Sequence, residues 1–302
     1  MTATPRVSVV IPAYRSGRTL QGTLDALRVQ RFRDFETIVV DSSPDQATED
    51  VVRTHFPEVT LERSAQRLPP HAARNRGVER ARGELLVFTD ADTRPRPDWL
   101  SVLVAAHERD NAIVGGAVDS AEQSWFARGV HVCKFGSWLD GSPAGVRPLL
   151  PTANLLLSRL AWEAVGPFPV LGWSGDADLC WRARAAGYSL AFEPAAVVGH
   201  EQRTSLARFW AERVERGYAF GVQRVRTFHW SRARAGAYLV AAPLIAVALL
   251  ARGVRAATRA MGLRIGLGTA PVQAIGYVGW SVGEARAHAQ AALRPKRRGN
   301  AP

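Results

Sequence analysis

Cysteine and lysine are both scarce in this chain. Cys133 and Cys180 are the only cysteines among 302 residues, which argues against a disulfide framework or a cysteine-based metal site. Lysine occurs only at Lys134 and Lys296, so arginine carries almost all of the net charge of +12. The basic residues are scattered and form no stripe interleaved with aromatic residues, which argues against a nucleic-acid partner.

Two sequence signals are also missing. The N-terminal residues MTATPRVSVVIP contain no basic region followed by a long apolar core, so we expect no secretory signal and a cytosolic catalytic part. No G-x-G-x-x-G motif follows the first apolar run, so a dinucleotide-binding fold would lack its phosphate loop. The positive charge remains compatible with phosphorylated substrates or anionic lipid.

Apolar runs alternate with segments of helical periodicity through the first 120 residues. This alternation predicts an α/β fold with a doubly wound, mostly parallel sheet. Residues 121–151 are irregular and predict loops or surface helices on one side of the sheet. We expect residues 1–230 to form a catalytic domain and residues 231–302 to form a C-terminal apolar helical appendage. The expected strands are residues 6–11, 36–40, 59–62, 85–88, 113–118 and 189–198, and the expected helices include residues 17–30, 47–54, 71–81 and 98–109.

The most informative segment is residues 84–97, ELLVFTDADTRPRP. An apolar run ends there in Asp90 and Asp92 and is followed by prolines, which is typical of a buried strand that meets a turn. Ligands of open α/β sheets bind at the carboxyl ends of the strands. Two carboxylates at such a place can share Mg²⁺ or Mn²⁺ with the phosphates of a substrate. The alternative is a loop with two solvated acids.

Other predicted strands also end in candidate site residues. Pro12, Ala13 and Tyr14 follow the first strand, and Asp41 follows the second. Because parallel strands place their carboxyl ends along one edge of the sheet, we expect these residues to converge with the aspartates of residues 90–92 on one crevice.

A second acidic pair, Asp176 and Asp178, lies in GWSGDADLCWRARAAG. A helix is expected to begin right after these acids, and its macrodipole alone would favour acids at that position. The strand that follows is interrupted by Pro194 and ends beside His200. This histidine is either a structural residue or a metal ligand.

Taken together, these motifs resemble the family 2 glycosyltransferases of the GT-A fold. The resemblance covers roughly residues 7–221 and is carried by VSVVIPAYRSGRTL, FETIVVD, AARNRGVERARGELLVFTDADTRP, NLLLSRLAWEAVGPF, GDADLCWRARAAGY and AVVGH. It implies a nucleotide-diphosphate-sugar donor, a divalent cation (Mg²⁺ or Mn²⁺) and a hydroxyl acceptor on a glycan or a lipid-linked molecule. One displacement at the anomeric carbon would make the enzyme inverting.

The resemblance also suggests which residues bind the donor. Pro12, Ala13 and Tyr14 would lie against the nucleotide base, and Asp41 would occupy the nucleoside-binding position. The family often has a second aspartate after this one, where the chain has a serine, so base contacts are expected to differ. Arg74 can add a charge-assisted contact to the diphosphate. The alternative for Arg74 is an ordinary surface arginine.

The metal site implied by the resemblance consists of Asp92 with Asp90, either directly or through water. Asp90 can instead contact the ribose of the donor. His200 would complete the metal or phosphate site, and Arg203 is a further candidate for the diphosphate.

On the acceptor side, the family places its catalytic base in an E-D-x-D-L context. The glutamate position is Gly175 here, so Asp176 is the matched acid and the expected base, while Asp178 is expected to be structural. Asn154 lies in the motif that resembles the acceptor-side half. Trp173 can stack on a sugar ring or pack within its loop.

Two uncharged apolar segments, residues 235–251 and 265–282, follow the catalytic part, and the chain ends in the basic sequence RPKRRGNAP. A spanning helix needs about 20 apolar residues, so each segment is marginal. We expect a hairpin or re-entrant anchor at the cytoplasmic face of the cell membrane, with arginines on anionic headgroups. The alternative is a pair of helices packed on the catalytic domain or buried in a dimer.

Two other functions stay open on the sequence alone. A sugar nucleotidyltransferase of similar fold would need an N-terminal glycine-rich loop, which PAYRSGRT matches poorly. A non-catalytic module that binds lipid or nucleic acid would account for the charge but not for the ordered motifs.

Overall fold

The computed structural model describes residues 4–170, 174–201 and 204–293. The strands are β1 (Val7–Ala13), β2 (Phe35–Asp41), β3 (Thr60–Arg63), β4 (Leu85–Thr89), β5 (Thr93–Pro95), β6 (Ile113–Ser120), β7 (Gly145–Val146), β8 (Asn154–Ser158) and β9 (Leu190–His200). The helices are α1 (Leu20–Arg28), α2 (Ala47–His55), α3 (Pro70–Arg80), α4 (Trp99–Asp110), α5 (Trp125–Phe135), α6 (Arg159–Val165), α7 (Gly175–Ala185), α8 (Leu206–Thr227), α9 (Arg232–Val240), α10 (Ala242–Met261), α11 (Leu263–Gly268) and α12 (Ala270–Leu293).

The strands form one mixed sheet in the order β3-β2-β1-β4-β8-β6-β9-β5, with β7 paired to β9. Strands β1 to β4, β6 and β9 run in one direction, while β5, β7 and β8 run against their neighbours. The predicted α/β fold with a mostly parallel sheet is therefore confirmed.

Alternating side chains of the central strands fill two cores, one on each face of the sheet. In β4, Leu85 and Val87 belong to one core, whereas Leu86 and Phe88 belong to the other. This alternation follows from the two-residue period of a strand. Because both faces are covered, the central strands are apolar throughout, which is why the sequence alone locates them.

One boundary near the site differs from expectation. Helix α7 begins at Gly175, so its acids lie in the first turn and the helix does not start after them. Strand β9 agrees with the expected strand interrupted by Pro194, since its register against β6 shifts between Gly116 and Ala117. A bulge of this kind accommodates a proline that cannot donate a ladder hydrogen bond.

The first apolar segment of the tail is broken into two helices. Helix α9 ends at Val240 and α10 begins at Ala242 with a proline in its first turn, and the two axes differ by 63°. Proline is tolerated at the start of a helix but not in its interior. Among the described residues, no single helix is long and apolar enough to cross a membrane, although α9 and α10 together meet that length and composition.

The second apolar segment packs against both the first segment and the catalytic part. Most of it lies in α12, which packs along α8 and also contacts α9, α10 and α5. The backbones approach closely at Gly217 and Gly283, where an added Cβ would lie 2.2 Å from the Trp280 carbonyl oxygen and 2.1 Å from the Val214 carbonyl oxygen. Helix α12 is thus packed tightly against α8.

Candidate active site

A cleft of about 600 Å³ lies at the edge of the sheet where the parallel strands end. Its wall brings together most of the site residues expected from the sequence: Pro12, Ala13, Tyr14, Arg74, Asp90, Asp92, Asp176 and His200. They come from the ends of β1, β4 and β9, from α3 and from the start of α7. The carboxyl edge of an open α/β sheet is the usual location of a ligand site.

Strand β5 brings the aspartates of the β4–β5 turn to the histidine. It runs antiparallel to β9 and pairs Thr93 with His200. The Glu201 amide donates to the Asp92 carbonyl oxygen at 3.0 Å. The Thr93 hydroxyl donates to the Asp90 carbonyl oxygen at 2.8 Å. These hydrogen bonds hold the β4–β5 turn and the end of β9 in one arrangement.

Three side chains form a compact cluster in the cleft. The His200 Nε2 atom lies 3.8 Å from Asp90 Oδ2 and 3.6 Å from Asp92 Oδ1. One ligand atom from each residue lies within 4.8 Å of the other two. Arg74, which is almost fully buried, forms an ion pair with Asp90. Because Arg74 is almost fully buried, it is not the exposed surface arginine that the sequence left open as an alternative.

The charges of this cluster influence one another. Burial opposes ionisation of Asp90, but the charges and hydrogen bonds of Arg74 and His200 hold the pKa of its carboxyl well below the usual range. Burial raises the pKa of Asp92, and Asp90 adds to that rise while His200 opposes it. Burial would lower the pKa of His200, yet the two carboxylates raise it. The surroundings of Asp90 and Asp92 thus shift the pKa values of the two carboxyls in opposite directions.

Two carboxylates and one imidazole match the ligand preferences of a divalent cation such as Mn²⁺. The like charges of Asp90 and Asp92 also lie close together in a partly buried place, and a cation would relieve their repulsion. The donor set therefore fits the cation expected from the sequence.

Asp176 lies in the first turn of α7, lines the same cleft and is partly exposed. Burial raises the pKa of its carboxyl, while the Ala177 amide, Arg216 and Arg74 act in the opposite direction. The Ala177 amide donates to Asp176 Oδ1 at 2.8 Å. A carboxylate with a raised pKa is a better proton acceptor than an exposed one.

Asp178 faces away from the cleft. Its carboxylate accepts from Arg182 Nε at 2.7 Å and from Gln223 Nε2 at 2.6 Å, and the residue is 8% exposed. It therefore links α7 to α8.

Two expected site residues do not lie on the wall of the cleft. Asp41 is fully buried, and its Oδ1 accepts from the Ser43 amide and hydroxyl at 3.0 and 2.5 Å. Asn154 is also fully buried and is held by Trp99 Nε1 and by the carbonyl oxygens of Ala117 and Ala196.

The expected acceptor contact of Asn154 stays a prediction, and its side chain is hydrogen-bonded inside the core. The expected nucleoside contact of Asp41 also stays a prediction, and its buried carboxylate is hydrogen-bonded to Ser43 in the loop after β2. Trp173 and Arg203 lie outside the described residues.

His71 is a lining residue that sequence reasoning missed. Its Nε2 accepts from the Gly175 amide at 3.2 Å, and a Cβ at Gly175 would lie 2.6 Å from its Cδ2. The glycine at the position where the resemblance expects glutamate therefore makes room for a histidine ring. The only sequence signal that could have indicated His71 is the HAAR motif, which places it one helical turn before Arg74 on α3.

One whole wall was also missed. It is built from α5, α8 and α12, and its lining residues are Lys134, Arg208, Glu212, Arg213, Arg216, Phe220 and Trp280. The four-residue spacing of positions 208, 212, 216 and 220 is a readable signal for one helix face. Nothing in the sequence around Trp280 indicates that it reaches the cleft.

Comparison with known proteins agrees with this geometry. The sequence pattern of the family described as "Glycosyl transferase family 2" matches residues 8–146. Glycosyltransferase AglE of Haloferax volcanii is 31% identical over 212 residues, covering 67% of this chain and 69% of the relative. The pre-mycofactocin glycosyltransferase of Mycobacterium tuberculosis is 32% identical over 218 residues, covering 68% of this chain but only 45% of the relative.

A solved structure shares the fold. The mannosyltransferase PcManGT from Pyrobaculum calidifontis, in complex with GDP-Man and Mn²⁺, superposes with a TM-score of 0.59 and 22% identity. The match covers 90% of this chain and 88% of that one. The chain belongs to glycosyl transferase family 2 and has the GT-A fold, so it is a glycosyltransferase.

Proposed function

We propose that this enzyme transfers a sugar from a nucleoside-diphosphate-sugar donor to an acceptor hydroxyl, with inversion at the anomeric carbon. One observation carries the proposal: the cluster of Asp90, Asp92 and His200 and the separate carboxylate of Asp176 line the same cleft. Transfer needs one site that holds the leaving diphosphate and another that activates the acceptor. The cleft contains both kinds of group.

The donor side would be held by the β1 loop and the carboxylate–histidine cluster. Asp90, Asp92 and His200 would hold the divalent cation, Mg²⁺ or Mn²⁺, which when bound neutralises the negative charge of the diphosphate. Arg74 keeps Asp90 ionised and oriented through their ion pair. Tyr14 lies on the cleft wall after β1, where the nucleoside would lie.

Asp176 would act as the general base. Its carboxylate would take the proton from the acceptor hydroxyl as that oxygen attacks the anomeric carbon from the face opposite the leaving group. Direct attack in a single displacement inverts the anomeric centre. Burial raises the pKa of the Asp176 carboxyl, which increases its proton affinity.

The test is metal-dependent use of nucleotide sugars. GDP- and UDP-sugars are screened for thermal stabilisation of the full chain with and without Mn²⁺, and the stabilising donor is then assayed for release of nucleotide. We expect stabilisation only with metal, and its loss in Asp92→Ala. Undiminished metal-dependent binding by Asp92→Ala would contradict the metal role, and failure of every donor would contradict the proposed reaction.

We further propose that the enzyme works on the cytoplasmic face of the cell membrane, on a glycan or lipid-linked acceptor. Support comes from α9 to α11, where five apolar side chains are each more than half exposed: Val240, Leu244, Val247, Leu263 and Leu267. Exposed arginines surround them at positions 232, 234, 252, 255, 259 and 264. Apolar side chains beside arginines suit an anionic lipid surface.

Vesicle flotation tests the membrane proposal. The full chain should float with phosphatidylcholine vesicles that contain phosphatidylglycerol, and Leu244→Glu should reduce the floated fraction. Val146→Glu, an exposed apolar position on β7, is the matched control and should float like the wild type. Equal flotation of both variants, or no flotation of the wild type, would contradict membrane binding through this surface.

A further inference from the structure

The wall formed by α8 and α12 has no role in the donor site as proposed above. Along α8, Arg208, Glu212, Arg216 and Phe220 all line the cleft and recur every four residues, so they share one helix face. Twelve residues of helix extend about 18 Å. The wall is therefore long enough to contact a second ligand beyond the diphosphate.

This wall carries an excess of positive charge. Glu212 Oε1 forms ion pairs with Lys134 Nζ and Arg216 Nε, both at 2.9 Å. Arg213 lies next to them and is 5% exposed. Four lining residues of this wall are cationic, and Glu212, Asp176 and Asp92 are the carboxylates near them in the cleft; the four cations are Lys134, Arg208, Arg213 and Arg216. Burial, Arg216 and Arg213 together lower the pKa of Lys134, although Glu212 opposes them. Charges in such a place are costly unless an anion compensates them.

An aromatic surface adjoins these cations. The Trp280 ring of α12 lies 5.3 Å from the Phe220 ring, and the Arg213 guanidinium lies 4.5 Å from the Trp280 ring centroid. Aromatic faces bury the apolar face of a ligand ring, and guanidinium groups bind carboxylate or phosphate oxygens. The two features together suit a ring that carries an anionic group.

The position of the wall relates it to the acceptor. Arg216 and Asp176 line the same cleft, and the charge of Arg216 acts to lower the pKa of the Asp176 carboxyl. A ligand that contacts Arg216 and Trp280 would therefore lie near the carboxylate proposed as the base. The carboxylate–histidine cluster lies towards the Lys134 end of the same wall, since the ring of Phe135, the next residue of α5, lies 5.2 Å from the His200 ring.

We propose that Arg216, Arg213 and Trp280 form an acceptor subsite for a molecule that carries a phosphate or carboxylate next to its reacting alcohol or sugar. The inference deepens the proposed function and rests on it. It also gives α12 a direct part in catalysis, because Trp280 contacts the acceptor. Phosphate and carboxylate both carry the negative charge that this subsite would bind, and the experiment tests the two groups separately.

The experiment measures binding of small anionic probes to the full chain saturated with Mn²⁺ and the nucleoside diphosphate of the stabilising donor. Glucose 6-phosphate and glucuronate are titrated by calorimetry, with glucose as the neutral comparison. We expect at least one anionic probe to bind at least tenfold more tightly than glucose while the nucleotide stays bound. The tighter of the two anionic probes identifies the preferred anion.

Variants locate the subsite. Arg216→Gln should weaken the anionic probe at least tenfold and leave nucleotide affinity unchanged, whereas Arg216→Lys should retain most of the binding. Trp280→Leu should weaken glucose and the anionic probes alike. Arg226→Gln, an exposed arginine of the same helix away from the cleft, is the matched control and should bind both ligands normally.

Three results would overturn the subsite. They are displacement of the anionic probe by nucleotide, equal loss of nucleotide and probe in Arg216→Gln, and no preference for either anion over glucose. The first two would assign the cations to the donor diphosphate. If the wild type binds no nucleotide, the proposed function fails by itself, and probe titration without nucleotide still decides whether Arg216 binds an anion.

Discussion

The chain contains the tripeptide Asp-Ala-Asp twice, after β4 at residues 90–92 and in the first turn of α7 at residues 176–178. In the first copy both carboxylates approach His200. In the second, Asp176 faces the cleft while Asp178 is bonded to α8 through Gln223. Residues two apart in a helix point about 200° away from each other around its axis. The two aspartates of Asp-Ala-Asp therefore lie together when the tripeptide is in a turn, and point to different sides when it is in a helix.

The number of carboxylates in a motif therefore does not determine how many of them reach the site. The turn after β4 is held by Thr93, whose hydroxyl bonds the Asp90 carbonyl oxygen, so both acids are directed to one place. Helix α7 follows its own period, and only one acid can face the cleft. Three variants or conditions test this difference.

The largest effect is expected for Asp176→Asn. An amide cannot take the proton of the acceptor hydroxyl, so the transfer rate should fall about 10²- to 10⁴-fold. Metal-dependent nucleotide affinity should stay unchanged, because the donor cluster is elsewhere in the cleft. Steady-state transfer and calorimetry of nucleotide binding measure the two quantities, with the exposed Asp110→Asn as control. Full activity of Asp176→Asn would show that the base is another group.

A smaller effect, on stability and not on transfer, is expected for Asp178→Asn. The substitution removes a buried charge that accepts hydrogen bonds from Arg182 and Gln223. Weakening these bonds should lower the free energy of unfolding by about 1–3 kcal/mol. Urea unfolding measures the loss, and kcat of the folded variant should remain close to wild type. A stable variant without transfer activity would mean that both acids of this pair serve the reaction.

The smallest effect is a displacement of the acid limb of the pH profile. Asp176 accepts a proton only when ionised, so kcat falls as pH drops through its pKa in the donor complex. Because burial raises that pKa, the acid limb should lie above the value of about 3.9 expected for an exposed aspartate. Initial rates at saturating donor across the acid range measure it. A rate that stays constant below that pH, in a protein that remains folded, would be inconsistent with Asp176 as the base.

Local patterns located the donor side well. The apolar run before Asp90 predicts β4, and the parallel sheet it implies places the end of β1 at the same edge. These residues line one cleft because of the sheet topology, so the motifs and the apolar periodicity were sufficient to predict where they lie. The roles of the individual side chains stay predictions until the variants are measured.

Local patterns do not show which polar residues are hydrogen-bonded inside the core. Asn154 lies in a motif that resembles the acceptor-side half, yet it hydrogen-bonds Trp99 and two backbone carbonyl groups that come from β6 and β9. Its partners are 37 to 55 residues away along the chain. No local pattern reports such contacts.

The sequence by itself determined the α/β class, the strand ends that carry candidate ligands and the separation of two acidic pairs, because each depends on patterns within about ten residues. Only the tertiary structure decided that α5 is buried and that α12 completes the cleft. Gly129 of α5 contacts Val272 of α12, and Trp280 reaches Phe220 of α8. These contacts join segments far apart in the chain, and close approach of backbones at glycine permits them. The second Asp-Ala-Asp likewise acquired its two roles only when α7 packed between the cleft and α8.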